Sequence, residues 1–290
     1  YLAFLAASLL TFFFSLFYGV FRWIVNRNSI FITYNHLSEL FGVQPIYLSL
    51  FYLVAILVAI DLYRRETAFK KVFLMATFPL FLGIVLLASR SSLAIAVSIL
   101  MLRFYLLSEN RKRYLLVLAA GLILGMAAVA TIPTLRDRFL KFDKNVASYS
   151  GTNFRFKIWE NALEVGKQSP VWGYGYSNSQ EALQRQYEKV NFRRALLASM
   201  NTHNQYLQTF LDNGMIGVTI LLLMIFMPMT LKRQSFTAFS FWIIIALALV
   251  TESFFRRQFG VIFYTLFYSL FVLSSNLYET SNPGCRTLRA

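Results

Sequence analysis

Four side chains in this 290-residue chain combine a reactive type with a telling position: His203, Arg90, Arg155 and Glu252. His203 is one of two histidines and stands where a long polar segment turns into an apolar run. An imidazole titrates near neutral pH and can take up a proton during a reaction. Read as helix, His203, Leu207, Phe210, Gly214 and Gly217 share one face, on which the two glycines would permit close helix contact. Two readings are open here: a reactive imidazole, or a capping histidine above a small-residue packing seam. Arg90 sits in Ala88-Ser89-Arg90-Ser91-Ser92 between two apolar runs, with no acidic residue between Glu66 and Glu109. An arginine at a membrane edge snorkels, finds a distant partner or holds an anion, and its planar fork suits phosphate oxygens. Glu252 closes another apolar run, and its spacing favours a pair with Arg256 one turn on. The second histidine, His36, reads as an ordinary loop residue. Two histidines far apart and a lone Cys285 offer no metal-ligand spacing, so neither a metal nor a cofactor is expected.

The elements that must position these groups are apolar. The chain is 57% hydrophobic and 14% charged, which excludes an ordinary soluble domain. Runs of about bilayer length fall at 1–21, 46–62, 72–88, 93–107, 114–131, 206–228, 236–252 and 259–277, giving an all-α, polytopic bundle of about eight membrane helices. Arg64, Arg65, Lys70 and Lys71, then Arg103, Arg111, Lys112 and Arg113, then Lys232 and Arg233, lie in short connections. With Arg286 and Arg289 in the tail, strict alternation puts them all on one side, which is the cytoplasm if basic loops stay inside. The expected domains are helices 1–131, an outer segment 132–205, helices 206–277 and a cytoplasmic tail 278–290. The chain starts inside an apolar run without an initiator Met, as a piece of a longer protein would.

The outer segment carries structure and charge. Within 132–202, eleven Lys/Arg face six Asp/Glu, a net of +5. That surplus fits anionic lipid head groups or phosphorylated glycans, and nothing calls for nucleic acid. Residues 153–168 read as an amphipathic helix with Trp159, Ala162, Leu163 and Gly166 on one face and Arg155 a turn before Trp159. Pro170-Val171-Trp172-Gly173-Tyr174-Gly175-Tyr176 follows, an ordinary turn or a place where backbone meets a ligand. Residues 179–190 form a second helix that aligns Leu183, Tyr187 and Val190, with Asn178 and Glu181 at capping-box spacing. Arg193 and Arg194 then lead to His203.

His203-Asn204 followed by Gly214 and Gly217 resembles the C-terminal motif of the bacterial O-antigen ligase and polymerase superfamily. Ser89-Arg90-Ser91 resembles the family's arginine at a helix start, with Ser91 where glycine is frequent. Arg155 with Trp159, then Pro170 through Gly175, resembles the opening of its large periplasmic loop. The resemblance spans about residues 30–275. It implies a GT-C-like glycosyltransferase of the bacterial inner membrane, metal-independent, with its active site facing the periplasm. The donor would be a polyprenyl-diphosphate-linked glycan and the acceptor a lipid A–core sugar or, for a polymerase, another lipid-linked repeat. On this reading His203 is the base, while Arg90 and Arg155 hold the diphosphate. Asn204, Gly173, Gly175, Tyr176, Arg193, Arg194 and Glu252 line the substrate site. A transporter of lipid-linked sugars is the reading from another class, but no internal repeat supports it.

Overall fold

The structure is a computed structural model that describes residues 1–65, 69–107, 111–140, 152–230 and 234–281. Every regular element among them is helical. The chain divides into two compact units, Tyr1–Phe142 and Asp143–Ala290.

The first unit holds α1 (Leu2–Asn26), α2 (Tyr34–Ser38), α3 (Pro45–Arg65), α4 (Lys70–Leu86), α5 (Arg90–Leu107), α6 (Arg111–Thr131) and α7 (Pro133–Leu140). Left-handed Arg27 closes α1. Pro45 and Pro133 open α3 and α7, where a missing N–H costs nothing. The central helix of this packing is α3, buried through Leu50, Leu53, Val54, Leu57 and Ala59. Helix α4 lies against it at Gly83, where a Cβ would come within 2.8 Å of the Tyr52 ring and 2.9 Å of Phe12.

Charged groups inside this unit are paired. Arg103 is not a loop residue, as the sequence reading had it. It lies on α5 with only 3% of its side chain exposed and donates to Asp61 Oδ1 of α3 at 2.6 Å, because a buried guanidinium needs a counter-charge. In the connection after α1, Glu39 accepts from Arg22 at 2.7 Å and faces His36 Nδ1 at 3.3 Å. These two contacts, His36 first and then Arg22, hold the Glu39 carboxyl below its ordinary range. Its contribution is therefore present at neutral pH and fades as acid protonates it.

The second unit holds α8 (Thr152–Gly166), α9 (Asn178–Lys189), α10 (Arg193–Leu197), α11 (Gln205–Phe226), α12 (Phe236–Thr251) and α13 (Gln258–Ser281). Phe154, Ile158, Ala162 and Val165 of α8 pack with Leu183 and Tyr187 of α9, Phe192, Ala195 and Leu211 into one buried cluster. Leu163 and Val190, expected on the inner faces, are exposed instead. The capping box at Asn178 does not form: α9 starts after Ser177 without a side-chain cap, and Glu181 pairs with Arg185 at 2.6 Å. Helices α12 and α13 meet through Phe241 and Trp242 against Phe263, Tyr264, Phe267 and Phe271.

Helices occupy all eight apolar runs. Among the described residues three stretches, Leu2–Asn26, Pro45–Arg64 and Gln205–Thr230, are long and apolar enough to cross a membrane, and Phe236–Thr251 and Gln258–Leu273 are apolar but shorter. The tail residues 282–290, and Lys232 and Arg233, lie outside the described residues. Replacing Gly83 by leucine should push Tyr52 and Phe12 off α4 and cost about 1–3 kcal/mol, read as a lower unfolding midpoint of detergent-solubilised protein.

Candidate functional site

The approach to α11 is built so that one residue is forced outward. Asn204 caps the helix, its Oδ1 accepting from the Leu207 N–H at 3.1 Å. Thr202 is fully buried: its hydroxyl donates to Asn204 O at 2.8 Å, and its carbonyl accepts from the Trp159 indole at 3.0 Å. The His203 N–H donates to Asn201 Oδ1 at 3.0 Å. Between these anchors His203 takes φ 46, a left-handed conformation that costs a side-chain-bearing residue about 1–3 kcal/mol. The imidazole that results is 30% exposed. Its Nδ1 lies 3.5 Å from Glu252 Oε1, whose side chain is 14% exposed. At that separation Nδ1 is buried and makes no hydrogen bond among the described residues.

Arg155 reaches the same place from α8. Its Nη1 donates to Thr251 O at 2.8 Å, the carbonyl immediately before Glu252 at the C-terminus of α12, where positive charge is favoured. Two further contacts fasten the turn after α12 to the head of α11. The Phe255 N–H donates to Gln205 Oε1 at 2.8 Å, and the Thr202 and Ser253 hydroxyls lie 3.2 Å apart. His203, Glu252, Arg155 and Asn204 thus converge.

A second polar cluster lies further along α11. Asp212 is buried and accepts from Arg256 Nη2 at 2.6 Å, from Gln208 Nε2 at 3.1 Å and from the Ser179 hydroxyl. Arg256 also donates to Ser179 Oγ at 2.9 Å and lies 4.3 Å over the Tyr176 ring. The expected Glu252–Arg256 pair is therefore replaced by Glu252–His203 and Arg256–Asp212. The turn at Phe254–Arg256 is a 3-10 helix, which breaks the one-turn spacing that the pairing assumed.

Gly173 and Gly175 serve this cluster. Gly214 interrupts α11 at φ 61, ψ −159, and the 170–175 segment docks there backbone to backbone. Tyr174 N–H donates to Leu211 O and Gly175 N–H to Asp212 O, both at 2.8 Å, while Met215 N–H donates to Pro170 O at 2.8 Å. A Cβ on Gly173 would lie 2.6 Å from Asn213 N, and one on Gly214 would lie 2.1 Å from Val171 O. The close approach of Gly173 is to the chain itself, whereas a Cβ on Gly175 would meet nothing within 4 Å. The single face expected for His203 through Gly217 does not exist, because His203 precedes the helix and Gly214 breaks it.

The remaining candidates sit elsewhere. Arg193 is exposed at the start of α10, and Arg194 lies 5.6 Å from the Phe154 ring. Arg90 belongs to the first unit. It is the exposed first residue of α5, behind which the Ser89 and Ser92 hydroxyls meet at 2.8 Å. Sequence reasoning passed over Thr202, Gln205, Gln208 and Asp212. Their signal was a polar stripe at 205, 208 and 212 within an otherwise apolar run, a pattern that marks function in membrane helices.

With three membrane-length apolar helices among its described residues, all of whose regular elements are helical, the chain is a membrane protein, and His203, Glu252 and Arg155 lie near the head of one of those helices. The O-antigen ligase family matches residues 75–222, a little over half the chain, and the chain belongs to that family. The matched region contains Arg90, Arg155, His203, Asp212 and both motif glycines; Glu252 and Arg256 lie beyond it. An uncharacterised protein of Haemophilus influenzae is 29% identical over 126 residues, 40% of this chain and 32% of that protein, so the chain spans about a third of this relative. No solved structure matches.

Removing one partner of a buried ion pair typically costs about 3–5 kcal/mol. Asp212→Ala should therefore lower the unfolding midpoint sharply, and Asp212→Asn, which keeps an acceptor for Ser179 and Gln208, should do so less. Equal midpoints for both variants and the parent would contradict the role of this cluster.

Proposed function

We propose that this protein is an O-antigen ligase-like glycosyltransferase that moves a glycan from a polyprenyl-diphosphate carrier to a lipid A–core-type acceptor. The observation that carries the reading is the juxtaposition of His203 with Glu252 and of Arg155 with the carbonyl beside it. In the step we envisage, His203 takes the proton of the acceptor hydroxyl as that oxygen attacks the anomeric carbon. The bond from that carbon to the diphosphate breaks, and the carrier leaves as polyprenyl diphosphate. Glu252 orients the imidazole and balances the imidazolium, as a carboxylate does in other histidine-based sites.

Arg155 cannot act as a base, but its contact with Thr251 O takes up one of five N–H groups on the guanidinium. The others can grip phosphate oxygens as charge develops on the leaving group. Arg90, exposed at the start of α5 in the first unit, carries the same phosphate-binding type of side chain. Asn204 acts by fixing the backbone that presents His203. Proton transfer and anion stabilisation of this kind need no metal.

The membrane arrangement completes the proposal. Eight spans, with 132–205 outside, helices over 1–131 and 206–277 and a cytoplasmic 278–290, would put the site on the periplasmic face of the bacterial inner membrane. The eight helical runs and the basic short connections support it.

Purified His203→Ala should lose about 10²–10⁴-fold in transfer from a polyprenyl-diphosphate-linked glycan while keeping the parent's unfolding midpoint. Full transfer by that variant would refute the assignment. The acceptor is read from a deletion strain: loss of all glycan from the lipid core marks a ligase, whereas single repeats left on the core mark a polymerase.

A further inference from the structure

Helix α11 changes character at Gly214. Before the break, Gln205, Gln208, Thr209 and Asp212 are buried and hydrogen-bonded within the protein. After it, Met215, Ile216, Ile220, Leu223 and Phe226 are exposed and apolar. Exposed apolar surface on that scale is a liability in water and normal against lipid. Counted in sequence, the stretch from Met215 to the Lys232-Arg233 pair lies at the lower end of the roughly 17–25 residues that cross a hydrocarbon core. The half before Gly214 is surplus to that span.

Much of the irregular backbone at the break is satisfied internally, as irregular backbone at a membrane requires. The N–H groups of Tyr174, Gly175 and Met215 all find carbonyl partners across the docked segment. Tyr174 turns inward, its hydroxyl donating to Gln168 Oε1 at 3.2 Å. Val171 and Trp172 do not; they are 50% and 76% exposed. Their exposure does not reflect a loose loop, because Val171 O and Trp172 N press directly on Gly214. An exposed tryptophan on a docked backbone beside the first lipid-type residues of a span is what an interfacial anchor requires.

We propose that Val171 and Trp172 form a lipid-facing anchor that lies in the interface between head groups and hydrocarbon and sets the level at which α11 leaves the bilayer. This rests on the membrane reading above. The nine residues from Gln205 to Asn213, at about 1.5 Å each, then carry His203 about 14 Å along the helix above that level. Head groups add about 5–8 Å per leaflet beyond the hydrocarbon, so an upright helix sets His203 past their outer edge, on the water side, and a tilted helix brings it back toward them.

The test uses the full chain with its one cysteine, Cys285, replaced by serine, in vesicles of phosphatidylethanolamine and phosphatidylglycerol. Nitroxide labels are placed singly on Val171→Cys, which keeps Trp172, and on Trp172→Cys, Ile220→Cys, Leu223→Cys and the solvated Arg185→Cys. The ratio of collisions with oxygen to collisions with a water-soluble nickel chelate reports depth. The expected order is highest at 220 and 223, intermediate at 171 and 172, and lowest at 185. If 220 and 223 are deep while 171 and 172 match 185, the anchor is refuted and Trp172 faces solution, as a sugar-stacking surface would. If 220 and 223 also match 185, the membrane reading of α11 falls with it.

Discussion

The space where Gly214 would carry a side chain is filled by the carbonyl of Val171. Much of the second unit depends on that contact. It brings the 170–175 segment onto α11 and sets Ser179 on the buried Asp212 carboxylate. Asp212 in turn holds Arg256, and with it the turn that follows Glu252. Any side chain at 214 would meet protein backbone rather than a yielding side chain, so the constraint is steric and local, while its consequences reach the reactive end of the helix.

The backbone on either side of His203 is held by hydrogen-bonded neighbours. Thr202, Gln205 and Gln208 form a buried set whose side-chain polar groups have partners, and Asn204 Oδ1 caps the helix, which rigidifies the segment. His203 combines a strained backbone state with an Nδ1 short of a hydrogen bond. Strain of this kind persists only where the surroundings over-determine it, and it concentrates at functional positions. The 3.5 Å gap to Glu252 fits a pair that tightens when the ring becomes charged, since resting catalytic contacts are commonly long.

The eight apolar runs were legible because hydrophobic length is a one-dimensional property. The segment 132–205 was legible as holding two helices from the spacing of Trp159, Ala162 and Gly166 and of Leu183 and Tyr187, although Leu163 and Val190 were assigned to the wrong side. His203 and Arg155 stood out by residue type and order. What escaped notice was tertiary. Arg103 reads as a loop cation until Asp61 is seen across the helix pair, and Arg256 reads as the partner of Glu252 until Asp212 claims it. The break at Gly214 was hidden because its flanks are helical in pattern, and a glycine there also fits a packing seam.

The central claim is that His203 and Glu252 act as one unit, and a double-mutant cycle on glycan transfer tests it most directly. Groups that work as a unit are strongly non-additive. The account predicts that His203→Ala combined with Glu252→Ala transfers glycan no more slowly than His203→Ala alone. Losses that multiply, with the double variant slower by the product of the two single effects, would contradict it.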